Sequence, residues 1–453
     1  MKNWLQEAAE RGIQYVETIN ERRVFPSEDE IEALQAFDEP LQNAPLSAQE
    51  VIQLLDEVGS PATVATTGGR YFGFVNGAVL PAALAANWLA TAWDQNTALS
   101  VMSPAAAKIE EVAARWVLDV LKLPAESGVG FVTGATMANF TCLAAARHRL
   151  LARRGWDVER RGLFGAPEIK VVVGEEIHAS MLLALSLIGF GRERLIRVPV
   201  DAQGRMRADA LPELDAMTLV CIQAGNVNTG AFDPAAQISA AAHAAGAWVH
   251  VDGAFGLWAL SSPVLAHLAA GVPDADSWST DGHKWLNVPY DSGLAIVRDA
   301  EAMRSAMNVT AAYLLAQDEM REPYHYTPEM SRRARGVEVW AALKSLGRDG
   351  LAQMIERTVT HAQHFAKGLQ EAGYTVHNEV VINQVLVSFG DAETTDAVIT
   401  QIQQDGELWA GRSVWQGHTA MRISVSSWAT TSDDVERCLQ AIIRAATAVN
   451  SLA

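Results

Sequence analysis

Between residues 100 and 300, short runs rich in β-branched residues alternate with longer stretches rich in alanine. The short runs are typical of buried strands and the alanine-rich stretches of helices. The predicted strands are Ile169–Val173, Thr218–Ile222, Trp248–Val251 and Leu294–Val297, and the predicted helices are Ala138–Ala152 and Pro234–Ala245. Such alternation predicts an α/β fold with a largely parallel sheet covered by helices. In sheets of this kind, ligands bind beyond the carboxyl ends of the strands.

Two regions of different character flank the alternating segment. The N-terminal region reads as helices and connections, and Ser47 with Glu50 forms a predicted capping box. The C-terminal region reads as a smaller α+β unit that begins with a long helix, Glu338–Ala372. Because 453 residues exceed what one core normally holds, we predict three parts. They are an N-terminal helical segment (1–95) for dimerisation and as an active-site lid, a large α/β domain (96–336), and a small α+β domain (337–453) with strands at Gln384–Phe389 and Ala420–Ser426.

The net charge of −18 argues against a polyanion as partner. Nucleic acids and anionic membranes attract basic surfaces, and the chain has no run of five basic residues. The longest apolar segment, roughly 77–93, contains Pro81 and Asn87 and is short for a membrane span. We therefore expect neither a nucleic-acid partner nor a membrane partner.

Cysteine use and the first residues indicate the compartment. Cys142, Cys221 and Cys438 lie far apart in apolar surroundings, which predicts buried thiols and not disulfides or a metal site. Near its start the chain carries an acid, Glu7, where a signal peptide would carry bases and an apolar stretch. We therefore expect a cytoplasmic protein.

Lys284 is the residue that indicates the chemistry. The chain has seven lysines, and Lys284 is the only one between Lys170 and Lys344. It lies between a histidine and a tryptophan, 32 positions after Asp252, which closes an apolar run. Pyridoxal phosphate (PLP) catalysis needs an amine for a Schiff base and a carboxylate that keeps the ring nitrogen protonated. An apolar setting favours the neutral amine, which is the form that attacks an aldehyde.

Two further signals are weak when each is taken alone. The small residues from Gly134 to Thr136 open a predicted helix, where backbone N–H groups bind phosphate well, but a plain helix cap explains them too. His178 follows a predicted strand and is placed either to stack on a cofactor ring or to serve as a structural residue. Asp252 likewise suits a pyridinium N–H, or else the cap of a helix.

One pair of histidines raises the question of a metal. His361 and His364 lie one helical turn apart, as zinc ligands can. No third potential ligand lies at a sequence spacing typical of a zinc site. A solvated face of a helix explains the two histidines better. We therefore predict no metal site.

The weak signals occur in one order along the chain: glycine turn, histidine, aspartate, lysine. With this order, residues 65–445 resemble the group II PLP-dependent amino-acid decarboxylases, the family of aromatic-amino-acid and glutamate decarboxylases. The motifs that carry the resemblance are Tyr71–Phe74, Gly134–Asn139, His178, Ala224–Asp233, His250–Ala254, His283–Trp285 and Met421–Ile423.

The resemblance implies a fold, an assembly and a set of residue roles. The implied fold is the aspartate-aminotransferase-like fold type I, and the implied assembly is a homodimer with active sites at the interface. For the cofactor ring, the resemblance implies that Lys284 carries the cofactor, that Asp252 pairs with the pyridine nitrogen, and that His178 and Ala254 flank the ring. It also implies that the phosphate is held by Ala135, Thr136 and His283. In the substrate site, it implies that Arg422 receives the substrate carboxylate and that Phe72 is a further residue.

The proton donor and three departures from the family pattern complete the resemblance. Tyr324 is the nearer match to the tyrosine of the family's catalytic loop, with Tyr326 second. Gly253 replaces an alanine, and Val227 replaces a threonine that often contacts the cofactor, so that Asn226 or Asn228 is a candidate substitute. The third departure, the segment 287–293 after Lys284, has no assigned role.

We therefore predict decarboxylation of an L-amino acid to an amine and carbon dioxide, through a Lys284 Schiff base and a quinonoid. The alternatives are another PLP reaction on the same fold (retro-aldol C–C cleavage, transamination or aldehyde-forming decarboxylation) and a non-catalytic homologue. Tyr71, Phe72 and Phe74 favour a bulky or aromatic substrate, although such residues also commonly serve packing.

Overall fold

In a computed structural model of the protein, the described residues are 1–307 and 321–451. The chain divides into two compact units. The first unit consists of Met1–Ala78, Thr360–Asn378 and Asn383–Ala453, and the second of Val79–Val359 and Glu379–Ile382. The three-part division expected from the sequence stays a prediction.

Helices occur along the whole length of the described chain and differ widely in size. In chain order they are α1 (Lys2–Glu17), α2 (Glu28–Glu32), α3 (Ala48–Leu54), α4 (Pro81–Trp93), α5 (Pro104–Val120), α6 (Ala135–Ala152), α7 (Val158–Arg161), α8 (Ala179–Leu187), α9 (Ala235–Ala244), α10 (Ala300–Met307), α11 (Gly336–Glu371), α12 (Ala392–Asp405) and α13 (Ser432–Asn450).

The strands alternate with these helices in the middle of the chain and cluster again near its end. They are β1 (Gly128–Val132), β2 (Lys170–Gly174), β3 (Ile196–Val198), β4 (Thr218–Gln223), β5 (Trp248–Asp252), β6 (Ser277–Asp281), β7 (Gly293–Val297), β8 (Thr375–Val376), β9 (Gln384–Ser388), β10 (Gly411–Trp415) and β11 (His418–Ser424).

The second unit is built on a seven-stranded sheet with the order β1-β7-β6-β5-β4-β2-β3. Strands β2 to β6 pair in parallel, whereas β7 runs antiparallel to both of its neighbours. The predicted α/β class and mostly parallel sheet are confirmed. The direction of β7 follows from its connection, because the segment 282–292 is too short for the crossover that parallel strands need.

Helix α6 crosses this sheet and is buried on most of its sides. Ala138, Cys142 and Ala146 are among its residues with no exposed surface, and the helix contacts β5, β6 and β7. Because these side chains are small, the helix axis can approach the strands closely. Its first turn is thereby held at the edge of the sheet where β5 and β6 end.

The first unit contains a four-stranded antiparallel sheet with the order β10-β11-β9-β8. Arg422 lies on β11, where it pairs with Leu386 of β9 and Gly411 of β10. Helices α12 and α13 pack against each other in the same unit.

Two helices differ in detail from the pattern predicted by the sequence. The capping box at Ser47 is present, but its α-helix ends at Leu54 and a π-helical turn follows. The long helix α11 is interrupted at Gly347, where φ is 61°, a conformation that glycine adopts without strain. Within the apolar segment 77–93, residues Pro81–Trp93 form the 13-residue helix α4. Within residues 1–307 and 321–451, no helix is both long and apolar enough to cross a membrane.

Replacement of Gly293 by alanine tests the close approach of β7 to the start of α6. A Cβ atom at Gly293 would lie 2.6 Å from the carbonyl carbon of Gly134, so that backbone must move. We expect Gly293→Ala to lower the free energy of unfolding by about 1–3 kcal/mol in urea denaturation. Gly174→Ala is the control, because its Cβ would meet nothing closer than 3.7 Å. Equal stability of the two variants would contradict the packing described.

Candidate active site

The ends of β5 and β6 bring together the residues that the sequence marks for chemistry. Asp252 is the last residue of β5 and pairs in register with Ser279 of β6. Strand β6 ends at Asp281, and the turn that follows carries Lys284. Two backbone hydrogen bonds tie these ends together, from Gly253 N to Ser279 O and from Asp281 N to Ala254 O, both at 2.9 Å. The carboxylate and the amine therefore leave the sheet at the same edge.

Asp252 is buried, with 6% of its surface exposed. Its carboxylate accepts hydrogen bonds from Nδ2 of Asn139 at 3.3 Å and from the backbone N of Ala254 at 3.2 Å. Among the described residues no lysine, arginine or histidine nitrogen lies within 4.0 Å of it. A buried carboxylate without a cation is costly, so this site fits a ligand that brings a positive charge, such as a protonated pyridine ring.

Lys284 pairs with a second buried carboxylate, Asp281, that the sequence analysis did not single out. Nζ of Lys284 lies 2.9 Å from Oδ2 of Asp281, and the two side chains are 18% and 2% exposed. Oδ1 of Asp281 accepts no hydrogen bond from any described residue, which indicates that a ligand or water completes the site. Asp281 closes β6, which was not among the predicted strands, so the signal that marked Asp252, an acid at the end of a predicted strand, was missing for it.

The first turn of α6 forms a cradle of backbone N–H groups. Gly134 precedes the helix and Ala135 and Thr136 begin it, and no side chain of the described residues caps this N-terminus. A Cβ atom at Gly134 would lie 3.2 Å from Cε1 of His283 and 3.5 Å from Oδ1 of Asp281, so a side chain there would fill the cradle. A long helix with a free N-terminus beside an imidazole fits a phosphate monoester.

His283 is held from two sides at this cradle. Its Nδ1 accepts a hydrogen bond from the backbone N of Ser292 at 3.1 Å. The ring of Tyr290 stacks on it with centroids 4.2 Å apart. Burial lowers the pKa of His283 below its usual value, with the charge of Lys284 adding to the effect and Asp281 opposing it. Tyr290 belongs to the segment 287–293 that received no role from the sequence, and its ring contact assigns it to this site.

His178 lies after β2, two strands away from β5 along the same edge of the sheet. It precedes α8 as its N-cap residue, and Nδ1 accepts a hydrogen bond from the backbone N of Ser180 at 3.2 Å. The Oγ atom of Ser180 also lies 2.7 Å from Nδ1. These contacts fix the ring through one nitrogen. The stacking role of His178 and the ring contact of Ala254 stay predictions.

Tyr324, the predicted proton donor, belongs to the second unit. It lies in a single 3-10 turn (Pro323–Tyr326), is 4% exposed, and packs against the ring of His325. Its backbone N donates to Ala98 O at 3.0 Å. Burial and the charge of Glu322 raise the pKa of its phenol. Its role as the donor stays a prediction.

Arg422 and Phe72, the predicted substrate residues, both belong to the first unit. Phe72 is 1% exposed and packs edge-on against Phe365. Arg422 is half-buried on β11, and burial lowers the pKa of its guanidinium. Their contact with a substrate stays a prediction.

Comparison with known proteins gives one family. A model of the pyridoxal-dependent decarboxylase conserved domain matches residues 32–390. The chain belongs to the pyridoxal-dependent decarboxylase family. The predicted family, the predicted cofactor and the predicted class of enzyme, a carboxy-lyase, are therefore confirmed.

Individual relatives of this decarboxylase are distant but similar over most of their length. Tryptophan decarboxylase 1 of Oryza sativa subsp. japonica is 25% identical over 94% of this chain and 90% of its own. The aromatic-L-amino-acid decarboxylase of Drosophila lebanonensis is 28% identical over 76% of this chain and 90% of its own. A crystal structure of Oryza sativa TDC with PLP and tryptamine superposes with a TM-score of 0.90 at 21% identity, covering 99% of this chain and 97% of that one. This structural similarity confirms the predicted fold.

Asp281→Asn tests whether the ion pair between Asp281 and Lys284 positions the amine. Without the ion pair the amine loses its anchor at the sheet edge, and we expect the apo decarboxylase to capture PLP about tenfold more slowly. The rise of visible absorbance after PLP addition measures this rate. Asp215→Asn is the matched control, because it breaks a 2.8 Å pair with Lys170 on the exposed surface. The same rate in both variants would contradict the role given to Asp281.

Proposed function

We propose that this decarboxylase acts on an L-amino acid and that its cofactor is held at the ends of β5, β6 and the start of α6. The observation that carries the proposal is the meeting of the Asp252 carboxylate and the Lys284 amine at neighbouring strand ends. PLP, when bound, would supply an electron sink for the pair of electrons that departing carbon dioxide leaves on the α-carbon of the substrate.

Each part of the cofactor has a proposed partner. Lys284 holds the aldehyde, Asp252 holds the protonated ring nitrogen, and His178 and Ala254 flank the ring. Ala135 and Thr136 of α6, with His283, hold the phosphate. The uncompensated charge of Asp252 and the uncapped N-terminus of α6 support these assignments.

Arg422 is the proposed partner of the substrate carboxylate. Among the described residues no carboxylate lies within 4.0 Å of its guanidinium. Since a half-buried guanidinium without an anion is partly desolvated, an anionic ligand would stabilise it.

The proton that replaces carbon dioxide has three candidate donors. Tyr324 is our proposal, with Tyr326 and Lys284 as alternatives. The place of Tyr324 in the segment that resembles the family's catalytic loop supports it, whereas its raised pKa does not, because that makes the phenol a weaker acid. The guanidinium of Arg321 lies over the ring of Tyr326, with its Cζ atom 4.1 Å from the ring centroid.

For the substrate side chain we propose a bulky or aromatic group. Tyr71 is buried and stacks on Trp409. Phe74 stacks on the same ring but keeps 63% of its surface exposed, so it is the aromatic of this stretch that remains able to meet a ligand. The names of the tryptophan and aromatic-L-amino-acid decarboxylases among the relatives support the same class.

Product analysis tests the reaction and the substrate together. The purified enzyme, loaded with PLP, is incubated with each common L-amino acid, and we expect equimolar carbon dioxide and amine from aromatic ones. Lys284→Ala should lower turnover by on the order of a thousandfold or more, whereas Lys170→Ala, on the exposed edge of the sheet, should not. An aldehyde or keto acid in place of the amine would contradict the proposed reaction, and release from acidic amino acids alone would contradict the proposed substrate class.

We further propose a cytoplasmic homodimer. Helices α1, α2 and α3 bury no residue, and this part of the chain exposes many large apolar side chains. They include Leu5, Ile13, Val16, Ile31, Phe37, Leu41, Val51 and Leu55. An apolar surface of this extent supports burial against a second copy. The three buried free thiols agree with a reducing compartment.

Charged substitutions on α1 test the dimer. We expect the wild type to sediment at about twice the 48.8 kDa of one chain. Ile13→Lys with Val16→Lys should raise the dimer dissociation constant by about a hundredfold or more, because two apolar contacts are lost. Phe164→Lys is the control, since Phe164 is 97% exposed outside the N-terminal helices. A monomeric wild type would contradict the proposal.

A further inference from the structure

A line of buried polar groups runs behind Asp252 and connects β5, β6 and α6. Nε1 of Trp248 donates to Oγ of Ser277 at 3.0 Å, and this Oγ lies 2.9 Å from Nδ1 of His250. Nε2 of His250 lies 2.9 Å from Oδ1 of Asn139, whose Nδ2 lies 3.3 Å from Oδ2 of Asp252. The four residues behind Asp252 are at most 3% exposed, so water does not compete for these bonds.

The carboxylate end of this line fixes the direction of the hydrogen bonds in it. An indole N–H can only donate, so Ser277 accepts from Trp248, but a hydroxyl has two acceptor lone pairs and this end alone does not set the direction of the bond between Ser277 and His250. At the other end an ionised carboxylate can only accept, so Asn139 must present Nδ2 to Asp252. Oδ1 of Asn139 then accepts from Nε2–H of His250. A neutral ring with its proton on Nε2 has an unprotonated Nδ1, which then accepts from the hydroxyl of Ser277.

Two observations support a neutral His250 with its proton on Nε2. Burial lowers the pKa of the ring to about 3, so it carries one proton at neutral pH. The Oγ atom of Ser279 lies 2.5 Å from Oδ1 of Asn139 and provides a second donor to that oxygen. A flipped Asn139 would set its oxygen against the carboxylate of Asp252 and its amine against Nε2–H of His250.

We propose that Asn139 and His250 are positioning residues for Asp252, and that the one-way series of hydrogen bonds fixes the orientation in which the carboxylate binds the ring nitrogen of the cofactor. The proposal rests on the proposed role of Asp252. The hydrogen bonds join residues of the protein itself, and no ligand is needed to set their direction. The series of hydrogen bonds is therefore in place before PLP binds.

The tautomer of His250 tests the chain without any cofactor. Apo protein labelled with ¹⁵N-histidine is examined by NMR at neutral pH, and the His250 signals are assigned by their loss in His250→Gln. We expect a protonated Nε2 and an unprotonated Nδ1. A ring with its proton on Nδ1, or with two protons, would overturn the proposal.

Cofactor binding tests the consequence for Asp252. We expect His250→Leu, which ends the chain at Asn139, to raise the dissociation constant of PLP by about tenfold to a hundredfold. His250→Gln keeps a donor near the position of Nε2 and should restore most of the affinity. Asn139→Asp places a second carboxylate beside Asp252, so that the two share a proton, and should also shift the pH titration of the bound cofactor's visible band.

Thr141→Val is the matched control, because Thr141 is equally buried on α6 and its hydroxyl donates to Met137 O within the helix. It should keep the affinity and the band of the wild type. Thermal unfolding of each apo variant identifies any loss of fold, and if His250→Leu does not fold, His250→Gln and Asn139→Asp still decide. Wild-type affinity and an unchanged pH titration in Asn139→Asp would overturn the proposal.

Asp252→Asn separates this inference from the proposed function. If the tautomer of His250 is as expected but Asp252→Asn binds PLP as tightly as the wild type, the series of hydrogen bonds is supported and the proposed role of Asp252 in cofactor binding is wrong. If Asp252→Asn loses PLP while His250→Leu keeps it, Asp252 holds the cofactor without the chain, and the positioning role is overturned.

Discussion

The parallel pairing of β5 with β6 is the constraint on which the site depends. It sets Asp252 against Ser279 and so brings a carboxylate and the turn of Lys284 to one edge of the sheet. A shift of the register by one residue would turn every side chain of the strand to the opposite face. The burial of β5 and β6 holds the register, and α6, packed across them, delivers its N-terminus to the same edge.

Two buried carboxylates at this edge are stabilised in different ways. Asp281 has a cation, Lys284, at 2.9 Å, so that pair is close to neutral. Asp252 has a neutral amide and a backbone N–H, which stabilise the carboxylate but leave its negative charge in place. The edge therefore offers one uncompensated negative charge and one positively polarised helix end. A phosphorylated ring with a protonated nitrogen has the complementary charges at its two ends.

The sequence predicted those features that depend on local pattern. Strand-end Asp252, the strands at Thr218 and Trp248, and the helix that ends at Ala152 follow from alternation of β-branched and alanine-rich segments. Lys284 stood out because lysine is rare in this chain. The family resemblance rested on several short motifs in one order, which chance rarely produces, and the match of the family model to residues 32–390 confirmed it.

Features that depend on contacts distant in sequence were missed. The role of Asp281 needs the distance to Lys284, and the link from Asn139 to Asp252 joins residues 113 positions apart. Tyr290 gains a role only because the turn folds it over His283. The break of α11 at Gly347 was also missed, since an isolated glycine in a helical pattern is usually tolerated.

Reduction of the PLP-loaded enzyme with borohydride tests the central claim most directly. The hydride converts a Schiff base between PLP and a lysine into a stable secondary amine, and peptide mass spectrometry then locates the modified residue. The account predicts the label on Lys284 and on no other of the seven lysines. A label on a different lysine, or a PLP-loaded enzyme that acquires no label, would contradict it.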